Sequence, residues 1–268
     1  MRELGLETIS PYGLSEAARS HQEPNTLPLC GPMQLLVAQV LDLKRQGIDY
    51  LLLPDLQEGL ESERGGAQCP WLLDLEAALL QNVPGMPPVL KVPARLGEPV
   101  AGLAAKLGQM LTRNPMMVRK ALEKTRHLLF PRPKSLSEPK GGSWVGIVAQ
   151  PYILEDYRLQ GGVREALEAA GLIPYFASVR PAELIQEGSR VPLKLELPSD
   201  LELAGLSSYL SRLGKVKALV YLSAYNCPPI PPLMQKLANL QAKPWKLLVV
   251  GEEWGLALEE LKAALEAC

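Results

Sequence analysis

Three of the four cysteines, Cys30, Cys69 and Cys227, share a local pattern: proline follows each within two residues, in Cys30-Gly31-Pro32, Cys69-Pro70 and Cys227-Pro228. Thiolates are soft donors, suited to iron–sulfur clusters or zinc rather than to Mg²⁺. Proline fixes φ and removes an N–H, which stiffens a loop that must present a ligand. Cys227 is the most pointed case, because the apolar run "KALVYLS" leads toward it and prolines fill four of the next five positions. Separations of 39 residues (Cys30 to Cys69) and 158 residues (Cys69 to Cys227) match no local zinc or ferredoxin spacing. Spacing alone therefore leaves two readings open. The fold gathers three ligands around one metal site, or the three are unrelated buried or reactive thiols. Cys268 ends the sequence in a helical stretch, outside the pattern.

Other chemistries are poorly supplied. Only two histidines occur, His21 and His127, both among polar or basic neighbours that read as surface, so histidine acid–base catalysis and His-rich metal sites are disfavoured. No G-x-S-x-G elbow of a serine hydrolase is present. The glycine pairs Gly141-Gly142 and Gly161-Gly162 lack both the G-x-G-x-x-G spacing and a Walker lysine. Loops and helix starts account for them, with an anion at the amino end of the helix after Gly162 left open. The acidic run in "GEEWGLALEE" reads as the solvated face of a helix. Asp55 and Asp156 each follow a strand end, where ligands of open α/β sheets collect.

Positioning these groups falls to an α/β fold. Continuous apolar runs alternate with amphipathic stretches, the pattern of buried parallel strands linked by helices. Expected elements are a helix over 31–46, a strand in "GIDYLLLP", a helix in "WLLDLEAALLQ", a strand in "PPVLKVP" and two helices before residue 131. The stretch 131–143 replaces the apolar pattern with proline, glycine, serine and charge. Beyond it come strands "WVGIVAQ", "LIPYFAS", "KALVYLS" and "WKLLVVG", with helices between and after them. The expectation is two doubly wound, Rossmann-like domains with mostly parallel sheets: residues 1–135, carrying Cys30 and Cys69, and residues 143–268, carrying Cys227.

The 268 residues carry 28 basic and 29 acidic side chains and a net charge of -1, so no global field draws the chain to nucleic acid or to an anionic membrane. Aromatic content of 5% argues against base-stacking platforms. The opening "MRELGLETISPYG" has no apolar signal core, and no run reaches the roughly 18 apolar residues of a membrane helix. A cytoplasmic protein whose cysteines stay as thiols is expected.

Taken in order, these segments resemble the D-component family of 2-hydroxyacyl-CoA dehydratases, in particular the uncharacterised branch labelled CoA-substrate-specific enzyme activase-related. "LCGPMQLLVAQVLDLKRQGIDYLLLPDL" is similar to that family's first cysteine loop, helix and strand, and "QCPWLLDLEAALLQ" to its second cysteine loop. "VGIVAQPYILEDYRLQGGVREALEAAGLIPYF" parallels its Gly-x-x-x-x-Pro-Tyr segment, "VKALVYLSAYNC" the strand that delivers the third cysteine, and "KPWKLLVVGEEWGLALEELKAAL" the closing strand and helix. The likeness spans nearly the whole sequence.

The resemblance implies that Cys30, Cys69 and Cys227 hold a 4Fe-4S cluster between the two domains, alone or as part of a double-cubane cluster. It implies an anaerobic role in low-potential electron transfer or reduction. An ATP-dependent activase-type reductase would be the partner, a CoA thioester or other small molecule the substrate, and a homodimer or heterodimer the assembly. As an enzyme the chain would be a dehydratase-like lyase or a low-potential reductase; the alternative is a non-catalytic, cluster-bearing accessory or scaffold subunit. The sequence departs from the family at Cys227-Pro228-Pro229-Ile230-Pro231, where Cys-Gly-Pro-Asp-Ser is usual, at Gln34, where lysine is common, and at Gly251-Glu252-Glu253, which replaces an aspartate of the closing segment.

Overall fold

A computed structural model describes residues 2–9, 29–55, 74–93, 98–129, 144–155, 160, 162–195 and 197–267. Cys69, Cys268, His21, Asp156, Gly141, Gly142, Gly161 and the stretch 131–143 lie outside the described residues. The chain divides into two compact units, Met1–Leu27 with Met33–Arg132, and Pro28–Pro32 with Pro133–Cys268. The short segment carrying Cys30 thus groups with the second unit.

The first unit opens on a 3-10 turn, Arg2–Leu4. Helix α1 spans Gly31–Arg45 and buries Met33, Val37, Val40 and Leu43, the three-and-four spacing of one helical face. Gly47 ends it with φ 72°, a left-handed conformation that glycine adopts without a Cβ penalty. Strand β1 (Leu51–Asp55) pairs in parallel with β2 (Val89–Pro93), Leu51 opposite Val89 and Asp55 opposite Pro93. Between them, α2 (Leu75–Asn82) is capped by Asp74, whose carboxylate accepts from the Ala77 amide at 3.0 Å. Helix α3 (Glu98–Thr112) precedes α4 (Pro115–Thr125), which Asn114 caps by accepting from the Met117 amide at 3.1 Å. A second 3-10 turn, Arg126–Leu129, closes the unit. Its described residues contribute a two-stranded parallel sheet.

The second unit shows the doubly wound arrangement. In chain order it runs β3 (Trp144–Ala149), α5 (Pro151–Glu155), α6 (Val163–Ala169), β4 (Ile173–Tyr175), α7 (Pro181–Gly188), α8 (Pro198–Arg212), β5 (Val216–Ser223), α9 (Ile230–Asn239), β6 (Trp245–Val249) and α10 (Gly255–Glu266). All four strands are parallel, in the order β4-β3-β5-β6. Every residue of β3 is buried, and so is every residue of β5 except Lys217, as a sheet covered on both faces requires. Alternation along β5 sends Ala218, Val220 and Leu222 to one core with Val163 and Leu167 of α6 and Leu258 and Leu261 of α10. Leu219 and Tyr221 face the other core, with Leu203 and Leu210 of α8 and Met234 and Leu237 of α9.

Two details fix this packing. Glycines bring α7 and α8 into backbone contact: a Cβ on Gly188 would lie 1.9 Å from the Leu201 carbonyl oxygen, and one on Gly205 1.9 Å from that of Leu184. In the core beside them, the Tyr221 hydroxyl and Ser207 Oγ share a hydrogen bond of 2.7 Å.

From Trp144 onward the expected strands and helices fall within a few residues of the observed ones. Two differ. The strand expected over "LIPYFAS" shortens to Ile173–Tyr175, at the edge of the sheet, where a proline is tolerated at its centre. Helix α5 was not anticipated, since five residues are too few to display a period.

Candidate metal centre

The strand order locates the site. From β3 the chain steps outward to β4, then crosses back over β3 to place β5 on its other side. Successive connections therefore leave β3 and β5 in opposite directions, which opens a crevice beyond their carboxyl ends, the usual ligand position in open α/β sheets.

Residues 224–227 form the β5 side of that crevice. Asn226 has φ 49°, a left-handed conformation that asparagine tolerates better than most side chains. It turns the chain immediately before Cys227. The four prolines divide their work: Pro228 and Pro229 occupy the loop, whereas Pro231 and Pro232 lie in the first turn of α9, where a missing N–H costs little. The Ile230 amide donates to the Cys227 carbonyl at 3.3 Å, linking the loop to the helix start. Cys227 packs against both hydrophobic cores. These cores lie on opposite faces of the sheet, so a residue that touches both sits over the strand ends.

Cys30 reaches the same place from far away in sequence. The Gly31 amide donates to the Tyr225 carbonyl at 2.7 Å, and Asn226 Nδ2 donates to the Leu29 carbonyl at 3.3 Å, across 197 residues of chain. Cys30 stands between these two anchors, at the threshold of α1, and Cys227 follows the residues that provide them. The approach at Gly31 is also close: a Cβ there would lie 3.3 Å from the Tyr225 carbonyl oxygen, tight enough that the neighbour would have to shift. Both cysteines are half-buried and neither is joined in a disulfide.

The β3 side is polar. Gln150, only 7% exposed, directly follows β3, and its carbonyl accepts from the Ile153 and Leu154 amides at 2.9 and 3.2 Å. The Tyr152 hydroxyl donates to Gln150 Oε1. Next to it on β5, Ser223 is fully buried, and its carbonyl accepts from the Val250 amide at 2.9 Å. The described residues at this end of the sheet thus include two cysteines, whose thiols are soft donors suited to iron or zinc.

Of the three cysteines singled out by sequence, Cys30 and Cys227 share one corner of the second unit, and Cys69 is outside the described residues. Among the described residues no cluster of three or more His, Cys, Asp or Glu side chains could hold a metal. His127 is exposed in a 3-10 turn. Asp55 ends β1. Gly162, at φ 83°, precedes α6, and Glu252 and Glu253 are exposed. Sequence reasoning overlooked Gln150, Asn226 and Gly31. Asparagine directly before a cysteine and glycine directly after one were the available signals for the last two.

No helix among the described residues is long and apolar enough to cross a membrane. No protein-family model, curated protein or solved structure matches the chain.

Proposed function

We propose that the chain is an iron–sulfur protein of the 2-hydroxyacyl-CoA dehydratase-like type, with Cys30, Cys69 and Cys227 as cluster ligands and low-potential electron transfer or reduction as its role. The observation that carries this reading is the docking of the Cys30 segment onto the Cys227 loop at the carboxyl end of a doubly wound sheet. Two thiols anchored by backbone in one crevice fit a thiolate-ligated iron centre. A bound cluster would supply one-electron chemistry at a potential set by burial and by hydrogen bonds to its sulfurs. The chain's own contribution is to anchor the segments that carry the two cysteines through Asn226, Gly31 and the proline-stiffened loop. The electron donor on this reading is an ATP-dependent activase-type reductase.

A second reading, a cluster-bearing accessory or scaffold subunit, draws support from the third loop. Pro228-Pro229-Ile230-Pro231 supplies no side chain able to hydrogen-bond a substrate. Anaerobic reconstitution with iron and sulfide tests the proposal: a brown protein with sulfur-to-iron charge-transfer absorbance, lost in Cys69→Ser, supports both readings. Turnover of a 2-hydroxyacyl-CoA with a paired activase separates them. A colourless protein after reconstitution rejects both.

A further inference from the structure

Cys30 and Cys227 stand 197 residues apart in sequence, yet the chain on both sides of Cys30 is tied to the residues that lead into Cys227. Before it, the Leu29 carbonyl accepts from Asn226 Nδ2 at 3.3 Å. After it, the Gly31 amide donates to the Tyr225 carbonyl at 2.7 Å. Leu29 is only 3% exposed, so a buried side chain also holds the segment. Pro28–Pro32 groups with the second unit, which carries Cys227; both cysteines therefore belong to one compact body.

Backbone hydrogen bonding sets two chains about 5 Å apart, within the roughly 4.4–6.8 Å between Cα atoms that a disulfide spans. Cys30 adjoins that bond and Cys227 lies two residues from it. Between Tyr225 and Cys227 the chain takes the left-handed turn at Asn226, φ 49°, rather than an extended step. Closing so long a loop is costly in an unfolded chain, but the fold has already brought its ends together. One thiol is thus presented to the other at high effective concentration.

We infer that Cys30 and Cys227 form a reversible redox pair, joined as a disulfide when the metal-free chain meets a low-molecular-weight disulfide such as oxidised glutathione. The thiolate of one cysteine attacks the oxidant and expels one glutathione thiolate; the second cysteine then displaces the other from the mixed disulfide. Each cysteine gives up one electron and one proton, and the oxidant leaves as two glutathione thiols. The bond itself is independent of the iron–sulfur reading. Its consequence, that oxidation withdraws two ligands and gates metal loading, rests on that reading.

The test equilibrates the reduced, metal-free, full-length chain anaerobically with glutathione redox buffers and maps the linked peptides by mass spectrometry. The expected result is one Cys30–Cys227 link, reversed by dithiothreitol and intact in Cys69→Ser. Asn226→Gly keeps the turn but drops the bond to Leu29, and should lower the equilibrium constant against glutathione at least about threefold. Leu240→Ala, at the end of α9, should leave it unchanged. Iron uptake separates the two claims: a link that forms in a chain taking up no iron when reduced supports the redox pair and rejects the iron–sulfur reading. Absence of the link, links through Cys69 or Cys268, glutathione adducts alone, or an equilibrium constant unmoved by Asn226→Gly would overturn the pair.

Discussion

The amide of Gly31 donates to the carbonyl oxygen of Tyr225 over 2.7 Å, and a Cβ on Gly31 would come within 3.3 Å of that same oxygen. The bond satisfies one of the N–H groups that the start of a helix leaves unpaired. It also fixes where Cys30 stands relative to the loop of Cys227. Closeness and hydrogen bonding thus converge on the position of one thiol.

Gly31→Val should lift the Cys30 segment from its seat. The overpacking should cost about 1–3 kcal/mol in urea unfolding. Iron retained after anaerobic reconstitution should fall more sharply than in a surface control such as Leu256→Ala, on a side chain that is 77% exposed. Equal iron retention in the two variants would separate the Gly31 contact from metal binding.

Asn226 combines a left-handed backbone, φ 49°, with a side-chain bond to Leu29. Asn226→Ala loses both and should cost about 2–3 kcal/mol, about 1–2 for the backbone and about 1 for the bond. Asn226→Gly keeps the backbone conformation and should cost about 1 kcal/mol less than the alanine variant. Chemical denaturation of both variants measures the difference.

The contact between α7 and α8 leaves no room for a methyl group at Gly188 or Gly205. Because the obstacle is backbone oxygen rather than a flexible side chain, neither helix can yield locally. Gly188→Ala and Gly205→Ala should each destabilise the second unit by about 3 kcal/mol or more, although alanine is the better helix former by about 1 kcal/mol. A neutral or stabilising result in thermal unfolding would refute the crossing geometry.

Burial pushes the Tyr221 hydroxyl up to about 12 from the ordinary 10, against a smaller opposing effect of its bond to Ser207. A folded-state value raised above the unfolded one favours the neutral phenol. This stabilisation is complete below pH 10 and is lost as pH rises toward 12. Phenolate absorbance should show one tyrosine titrating late, absent in Tyr221→Phe. That variant leaves Ser207 Oγ buried without its partner and should cost about 1–3 kcal/mol. Adding Ser207→Ala should recover part of the loss, which a double-mutant cycle reads as coupling.

Legibility in the sequence followed the range of the interactions. Helix α1 announced itself through Met33, Val37, Val40 and Leu43, and β5 through an apolar run, because each is specified by its own residues. Strand β4 was overextended because its length depends on how far its single neighbour β3 pairs with it, a tertiary relation, and α5 was too short to show a period. The site divided in the same way. Cys30 and Cys227 could be singled out by type and by the prolines that follow them. The anchoring of Leu29 and Gly31 on residues 225 and 226 could not, because it is a tertiary relation between segments that nothing local connects. Gly188 and Gly205 likewise read as ordinary helix-end and mid-helix glycines until the two helices are brought together.

Iron content after anaerobic reconstitution, compared between the unaltered chain, Cys30→Ser and Cys227→Ser, tests the central claim most directly. The account predicts stable iron and acid-labile sulfide in the unaltered chain and severe loss of both in either serine variant, with thermal stability of the metal-free forms little changed. Iron content unaffected by either substitution, or no uptake by the unaltered chain, would contradict it.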